Sequence, residues 1–504
     1  MHLLWIAIIF FFAVLHLVHL RADFPNYSRW MDWSKYTDEG WWGNAAIQHF
    51  VRGSWFVPGD FNTGAALPVW PFLEWVVFHF TGVSVQAARA LAVSVFFCNV
   101  LLSYVLVRLQ EERWVALLAS SLIAVNAFLF CFSRLAILEP LLLCLTLLSL
   151  IVAQHIGSAS ATRVRKTALS MALGSLCVLM ILTKTTAIVL LPAILYSMWY
   201  PQRRDPAAFV RSTLLMGGVA GLLWGGYYAL LVRLHYIADF KYLFAVDDLP
   251  RPNTVFGWVS TFYYAAHGVL WIDRIVVVLS LLFIAASLLF VRSLWHNPTF
   301  VSSLLAIGGY IFFIAYHNNM QPRYYAVIAL FLFLVVAIST GALLRSRRTF
   351  GLAALSAIAF SLLLNALQVG KFTRHPEYTF VNAAEGLTRY IDQHPNGDRL
   401  LLSVSGNEIT LITGLPSICD DYGTIDLPSR LQRYQPGWYA AWDEVDPGTL
   451  EDIYTQYSLE EVASFPAFDD PERSRLILYK LRPLPSPKAA STINTAGIPF
   501  MRGE

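Results

Sequence analysis

The chain has 504 residues, 57% hydrophobic and 14% charged, with a net charge of +3 and a mean hydropathy of +0.54. Soluble proteins are about one-quarter charged, so this composition excludes an ordinary soluble chain; the net charge is small enough that its placement matters more than its size, and no nucleic-acid partner is expected. Five cysteines (Cys98, Cys131, Cys144, Cys177, Cys419) are scattered singly and form no CxxC or Cys/His cluster, which argues against a disulfide framework or a zinc site.

The first apolar run, Leu3 to Leu20, has no Lys or Arg before it and no small-residue cleavage site after it. It is expected to be a retained helix. A loop of roughly sixty residues follows, long enough to hold structure of its own. It opens with YTDEGWWGNAAIQHFVRGSWF (36–56), where Asp38 and Glu39 precede a segment of helical period with Trp42, Ala45, Ala46, His49 and Phe50 on one face. A short aromatic helix, Phe72 to Phe80, is too short to cross a bilayer and is expected at the interface. Further spans are expected near 87–107, 114–132, 141–156, 168–183, 185–200, 212–234, 271–291, 299–316, 326–344 and 349–367. That makes about eleven crossings of an all-α polytopic bundle.

Cationic residues set the orientation. Arg108 and Arg113, Arg163/Arg165/Lys166, Arg203/Arg204/Arg211, Arg292 and Arg345/Arg347/Arg348 fall in alternate short loops, which the positive-inside rule assigns to the cytoplasm. The first loop (21–86), the turns 133–140 and 183–186, the loop 235–270, the segment 317–325 and everything after 368 are then extracytoplasmic. A bacterial inner membrane is the expected location. The membrane domain is read as 1–370, and from about Glu377 the composition becomes that of a soluble domain. There Val381–Gln393 has helical period, LLLSV (400–404) reads as a buried strand, Gly406–Ile412 as a short helix and Ser474–Leu481 as a closing strand. Residues 371–482 are therefore expected to form a small α/β domain, and the Pro/Ser/Ala-rich 483–504 a disordered tail.

Charged groups near bilayer depth are costly and usually have a reason to be there. Asp38 suits a helix N-cap, which is compatible with a rigidly held catalytic carboxylate. Arg134 and Glu139, in the turn FSRLAILEP, could be a local ion pair. Lys184 is more informative. The apolar region 168–200 is about 33 residues, near 50 Å as one helix and too long for a single crossing. It should break at TKTT (183–186), leaving a lysine at the outer end as either a snorkelling side chain or an anion site. Arg323, in HNNMQPRYY (317–325), has the planar fork that suits phosphate oxygens. The loop 235–270, with Lys241, Asp247, Asp248 and Arg251, could be a solvated loop or a lid over a site. His49, His235, His267 and His317 face outward in no metal-like spacing, so no divalent metal is indicated.

Carboxylates and cations thus gather at the outer face, out of reach of cytosolic nucleotide sugars and ATP. An activated donor must arrive within the membrane, as a polyprenyl-phosphate sugar would. Transfer needs a carboxylate base for the acceptor hydroxyl and cations to stabilise the departing phosphate.

Four pieces of sequence give the chain a family resemblance: DEGWWGNAAIQHFVRGSWFVPGDFN with its downstream LPVWPFLEW, the turn RLAILEP, LTKTTAIVLLP, and QPRYYAVIAL. In order and spacing, over roughly residues 36 to 335, they resemble the GT-C superfamily of integral membrane glycosyltransferases. The resemblance is to the family 39/83 group of protein O-mannosyltransferases and lipid A aminoarabinose transferases. It implies that Asp38 is the catalytic carboxylate with Glu39 beside it, that Lys184 contacts the carrier phosphate, and that Arg323 and Tyr324 line the carrier site. It also implies inverting transfer without a nucleotide. Two departures stand out. Ala66-Leu67-Pro68-Val69 lacks the aminoarabinose transferases' Glu-Lys pair, and TKTT replaces their TKG. The large β-trefoil insertion of the protein mannosyltransferases is also absent.

The expectation is a polyprenyl-phosphate-sugar-dependent glycosyltransferase acting on an extracytoplasmic glycan, lipid or protein. Asp38 would be the base and Glu39 its support. Lys184, Arg323 and Tyr324 would hold the phosphate, with Glu139, Arg134 and Arg251 at the acceptor or just behind the reacting groups. The rivals are a flippase for lipid-linked saccharides, which would place ionisable groups at mid-span on paired broken helices, and an inactive relative that binds without catalysis.

Overall fold

A computed structural model describes residues 2–25, 38–157, 162–246, 251–470 and 472–485. Helix α1 (His2–His16) leads to a loop region holding α2 (Asp38–Arg52) and α3 (Val69–Thr81). The bundle continues through α4 (Val85–Arg108), α5 (Arg113–Val125), α6 (Ala127–Phe132), α7 (Glu139–Ile156), α8 (Arg163–Thr183), α9 (Leu191–Gln202) and α10 (Pro206–Tyr227). Next come α11 (Ile237–Val246), α12 (Val255–Gly268), α13 (Arg274–Leu289), α14 (Pro298–His317), α15 (Tyr325–Ser346) and α16 (Arg348–Arg374). Among the described residues, seven helices are long and apolar enough to cross a membrane, and α1, α5 and α13 are shorter apolar helices. With α9, these helices occupy the eleven segments expected as spans. Helix α15 is the axis: every residue from Tyr325 to Leu343 is buried, as a helix that is apolar all round must be. Helix α10, by contrast, buries only Ser212 and Met216 and exposes Leu214 and Leu222, the pattern of a lipid-facing surface.

The bundle has two breaks within apolar stretches, the first held by a polar side-chain network. The expected span 114–132 divides at Asn126, whose side chain accepts from Leu129 N at 2.9 Å and donates to Asn365 Oδ1 at 3.1 Å. Asn365 donates in turn to Asp273 Oδ2 at 2.6 Å, and Asp273 Oδ1 caps the start of α13 through Ile275 N and Val276 N. Polar side chains here satisfy the backbone groups that the break releases, as an apolar interior requires. Between α8 and α9 the helix ends at Lys184, which is extended (φ −157°, ψ 126°), and a 3-10 turn covers Thr185–Leu190.

The segment 235–270 is not an open loop. Helix α10 runs through a π-helical stretch, Tyr228–Tyr236, into α11, and α12 is capped by Thr254, whose hydroxyl accepts from Gly257 N. Its mixture of aromatic and charged residues hid the helical period. Asp247 and Asp248 lie outside the described residues, as do Tyr36, Thr37 and the tail from 486.

Beyond α16 the chain forms a five-stranded sheet. In order come α17 (Thr379–Gln393), β1 (Asp398–Leu402), α18 (Gly406–Thr413), β2 (Ser417–Ile418), α19 (Leu427–Tyr434), β3 (Pro436–Ala441), α20 (Pro447–Tyr454), β4 (Tyr457–Pro466) and β5 (Arg475–Pro483). The strand order is β2-β1-β3-β5-β4, parallel across β2-β1-β3 and antiparallel across β3-β5-β4. Phe380, Ala384, Leu387 and Ile391, one face of α17, pack on Trp438, Leu476 and Leu478. The other face of the sheet packs Leu402 and Tyr439 against Leu427 and Leu431 of α19.

Candidate active site

Helix α2 begins with the acidic pair, and both members are buried: Asp38 is 3% and Glu39 0% exposed. Neighbours in sequence, they point to different partners. Glu39 is gripped by Arg89 of α4, with Nε to Oε1 at 2.8 Å and Nη2 to Oε2 at 2.5 Å, and its Oε1 also accepts from Ala136 N at 2.8 Å. A carboxylate this buried persists only when bidentate partners offset its lost hydration. Asp38 Oδ2 instead lies 2.5 Å from Arg323 Nη1 and borders an open cavity.

Arg323 sits in a short 3-10 turn, Pro322–Tyr324, that leads into α15. Its guanidinium lies 5.2 Å from the centre of the Tyr324 ring, and Lys184 Nζ lies 4.4 Å from the same ring, so two cations share one aromatic face system. Lys184 is ion-paired with Glu139, the first residue of α7. Thr186, two residues on, bonds to the Tyr310 hydroxyl at 2.9 Å. The structure therefore brings Asp38, Arg323, Tyr324, Lys184 and Glu139 into one connected series from four separate segments. It does not bring Arg134 or Arg251 there. Arg134 donates to the carbonyls of Val18 and His19, and Arg251 lies 4.7 Å from the Tyr316 ring.

The C-terminal domain roofs this site. Helix α18 lies against α2: Gly40 N donates to Glu408 Oε2 at 2.6 Å, Gln48 to Asn407 Oδ1 at 3.1 Å, and the Trp41 indole to Val404 O at 3.2 Å. A Cβ on Gly40 would come within 2.4 Å of the Asn407–Glu408 backbone, so no larger residue allows this approach. Asp60, in the first loop, likewise accepts from Cys419 N at 3.1 Å and lies 3.6 Å from Arg430. Between roof and membrane domain is a cavity of about 640 Å³, with Asp38, Arg323 and Trp41 on one side and Asp420, Asp421 and Trp442 on the other.

Sequence reasoning missed Arg89, Glu74 and Glu408. Arg89 had a signal, a lone arginine inside an apolar span, which calls for a buried anion. Glu74 of α3 is 0% exposed and faces Gly43 of α2, and a Cβ there would meet its Oε2 at 2.2 Å. Burial, then the Glu39 and Glu408 charges, push Glu74 well above the usual carboxylate range. Glu408 had no local signal, since it is one acid in an eight-residue helix. Burial and then the Glu39 charge raise Glu408 well above its ordinary value. The folded state therefore favours its protonated form. That contribution is full below the ordinary carboxylate range and is lost as pH rises through the raised folded value. Glu408→Gln cannot ionise, so its melting temperature should fall less than the wild type's on the alkaline side. Parallel Tm–pH curves for the two proteins would show that Glu408 does not titrate with folding.

Among the described residues, no group of three or more His, Cys, Asp or Glu side chains could hold a metal ion.

No family model and no curated protein sequence matches the chain. Solved structures do match. The chain is similar to ArnT from Cupriavidus metallidurans in the apo state, with a TM-score of 0.62 and 13% identity over 94% of this chain and 97% of that one. The likeness to the same protein bound to undecaprenyl phosphate has a TM-score of 0.64, also at 13% identity, over 95% and 97%. The archaeal oligosaccharyltransferase AglB from Archaeoglobus fulgidus, in complex with an inhibitory peptide and a dolichol-phosphate, matches with a TM-score of 0.51. Its identity is 12%, over 86% of this chain and 69% of that one. At these identities the likeness is one of fold. The chain has the polytopic GT-C fold that its motifs led one to expect, with a small C-terminal α/β domain.

Proposed function

We propose that this protein is an integral membrane glycosyltransferase that moves a sugar from a polyprenyl-phosphate donor to the hydroxyl of an extracytoplasmic acceptor, with inversion. The observation that carries the reading is the position of Asp38: a buried carboxylate at the edge of a cavity, beside an arginine that is linked through Tyr324 to a buried lysine. In this reading Asp38 takes the acceptor proton. The acceptor oxygen bonds to the anomeric carbon as the bond from that carbon to the phosphate oxygen breaks. The electron pair leaves on the polyprenyl phosphate, whose charge Lys184 and Arg323 stabilise. Glu39, held by Arg89, fixes the start of α2 and hence Asp38.

The resting pairs add a feature of their own. Arg323 is bound to Asp38 and Lys184 to Glu139, so an arriving phosphate competes with Asp38 for Arg323 and frees the base as the donor seats. The comparisons support a lipid-phosphate donor, since the similar ArnT was solved with undecaprenyl phosphate and the similar AglB with a dolichol-phosphate. Transfer is favoured over transport because the charged groups stand at span ends and in the roof, where the flippase reading expects them at mid-span.

The test is purified protein in detergent, given a panel of labelled undecaprenyl-phosphate sugars with candidate hydroxyl acceptors. Acceptor-dependent release of undecaprenyl phosphate, without a bilayer to cross, is the expected result. Release from none of the panel, by protein that co-purifies with no carrier lipid on mass spectrometry, would sink the reading.

A further inference from the structure

The wall of the cavity opposite Asp38 has a chemistry that the proposed transfer does not use. It presents Asp420, Asp421, Glu444, Asp446 and Glu472, with Arg473 beside them. Some of this charge is committed. Asp446 Oδ2 accepts from Thr449 N at the start of α20, and Glu472 lies 3.5 Å from Arg473. Asp420 is different. It is 6% exposed and lines the cavity; its carboxyl meets the Tyr439 hydroxyl, while its Oδ1 makes no hydrogen bond. The nearby guanidinium of Arg430 is occupied, donating to the carbonyls of Cys419 and Tyr422 and lying 3.6 Å from Asp60. A buried carboxylate oxygen without a donor is costly, and this one lines the same cavity as Asp421 and Glu444. Burial, and then the charge of Asp421, push Asp420 up to about 7. A bound cation would draw it back into its ionised form.

Aromatic rings complete the lining: Trp41 and Tyr422 are half-buried there, with the buried Trp442 and Tyr439 behind them. Ring faces and carboxylates together suit a compact ligand with apolar C–H faces and many O–H and N–H donors, and about 640 Å³ is the size of a small-molecule site. We propose that this cavity is an acceptor site for an amino-substituted saccharide, whose ammonium group is received by Asp420, Asp421 and Glu444 while one of its hydroxyls reaches Asp38. The acid wall belongs to the C-terminal domain, and Lys184 and Glu139 do not line the cavity. The acceptor is accordingly assigned to this wall and the carrier phosphate to the Lys184 side, with Arg323, which lines the cavity and shares the Tyr324 ring with Lys184, between the two.

The proposal rests on the transferase reading above, and direct binding separates the two. The purified full-length protein is titrated calorimetrically with a glucosamine trisaccharide, its fully N-acetylated counterpart and trilysine. The aminated saccharide should bind at least about tenfold more tightly than the acetylated one, the discrimination that one hydrogen bond to a charged group supplies. Glu444→Gln, at an exposed position where folding is not at stake, and Asp421→Asn should each remove most of that preference. Equal affinity for the two saccharides overturns the proposal, as does a preference unchanged in both variants. Tighter binding of trilysine than of the aminated saccharide overturns it in favour of a basic peptide. Amine preference in a protein that turns over no carrier-linked sugar supports the site and overturns the reaction. Turnover without amine preference does the reverse.

Discussion

Asp38→Asn is expected to lower sugar transfer by about 10²–10⁴-fold, the range that a positioned general base contributes. The substitution keeps the shape of the side chain and a hydrogen-bonding oxygen beside Arg323, but it removes the group that accepts the proton. Its effect should fall on turnover, with affinity for the carrier lipid maintained or improved, because Arg323 no longer shares its charge with a carboxylate 2.5 Å away. The measurement is initial rate against donor concentration, together with undecaprenyl phosphate binding, in protein whose Tm shows that it is folded. Turnover within about threefold of wild type would remove Asp38 from the proton transfer. A loss of carrier affinity equal to the loss of rate would reassign it to binding.

The second large effect is on stability. Arg89→Met should destabilise the protein by about 3–5 kcal/mol, the cost of removing one partner from a buried ion pair. Glu39 is fully buried, and without Arg89 the Ala136 N–H is the contact left to it among its hydrogen bonds described above. The double variant Glu39→Gln/Arg89→Met should recover part of the loss, because the buried charge pair is then gone while Leu20 O and Ala22 O, which also accept from Arg89, still lack their donor. Thermal unfolding of the four proteins of this cycle in one detergent measures the coupling. If Arg89→Met alone shifts stability by less than about 1 kcal/mol, the pair does not hold α2 against α4. Rate measurements on the double variant add a further reading: if Glu39 serves only to position α2, some transfer should survive in a protein that folds.

Much of the architecture was legible because its causes are local. A run of apolar residues of bilayer length makes a spanning helix wherever it occurs, and each of the eleven expected spans has its helix, down to the break at TKTT. Within the C-terminal region, the segments around 381–393, 400–404, 406–412 and 474–481 also showed their own periodicity. The misreading of 235–270 was local too: aromatic and charged side chains scattered over α11 and α12 looked like loop composition. The acidic pair and the two cations were conspicuous as charges near an apolar environment, so Asp38, Lys184, Glu139 and Arg323 could be singled out one by one.

Which charge meets which was not available from any stretch of sequence. Glu39 finds Arg89 across 50 positions and Gly40 meets Glu408 across 368, and neither separation has a period or motif to mark it. Composition, span count and the presence of an acidic pair at the head of α2 belong to the sequence by itself, because hydrophobic length and helical period are properties of neighbours. The tertiary structure alone decided that the pair divides, Glu39 into an arginine clamp and Asp38 toward a cavity, and that a distant domain supplies the acid wall above it. The reason is physical: a buried charge is tolerated only where packing brings it a partner, and packing joins residues that the chain keeps far apart.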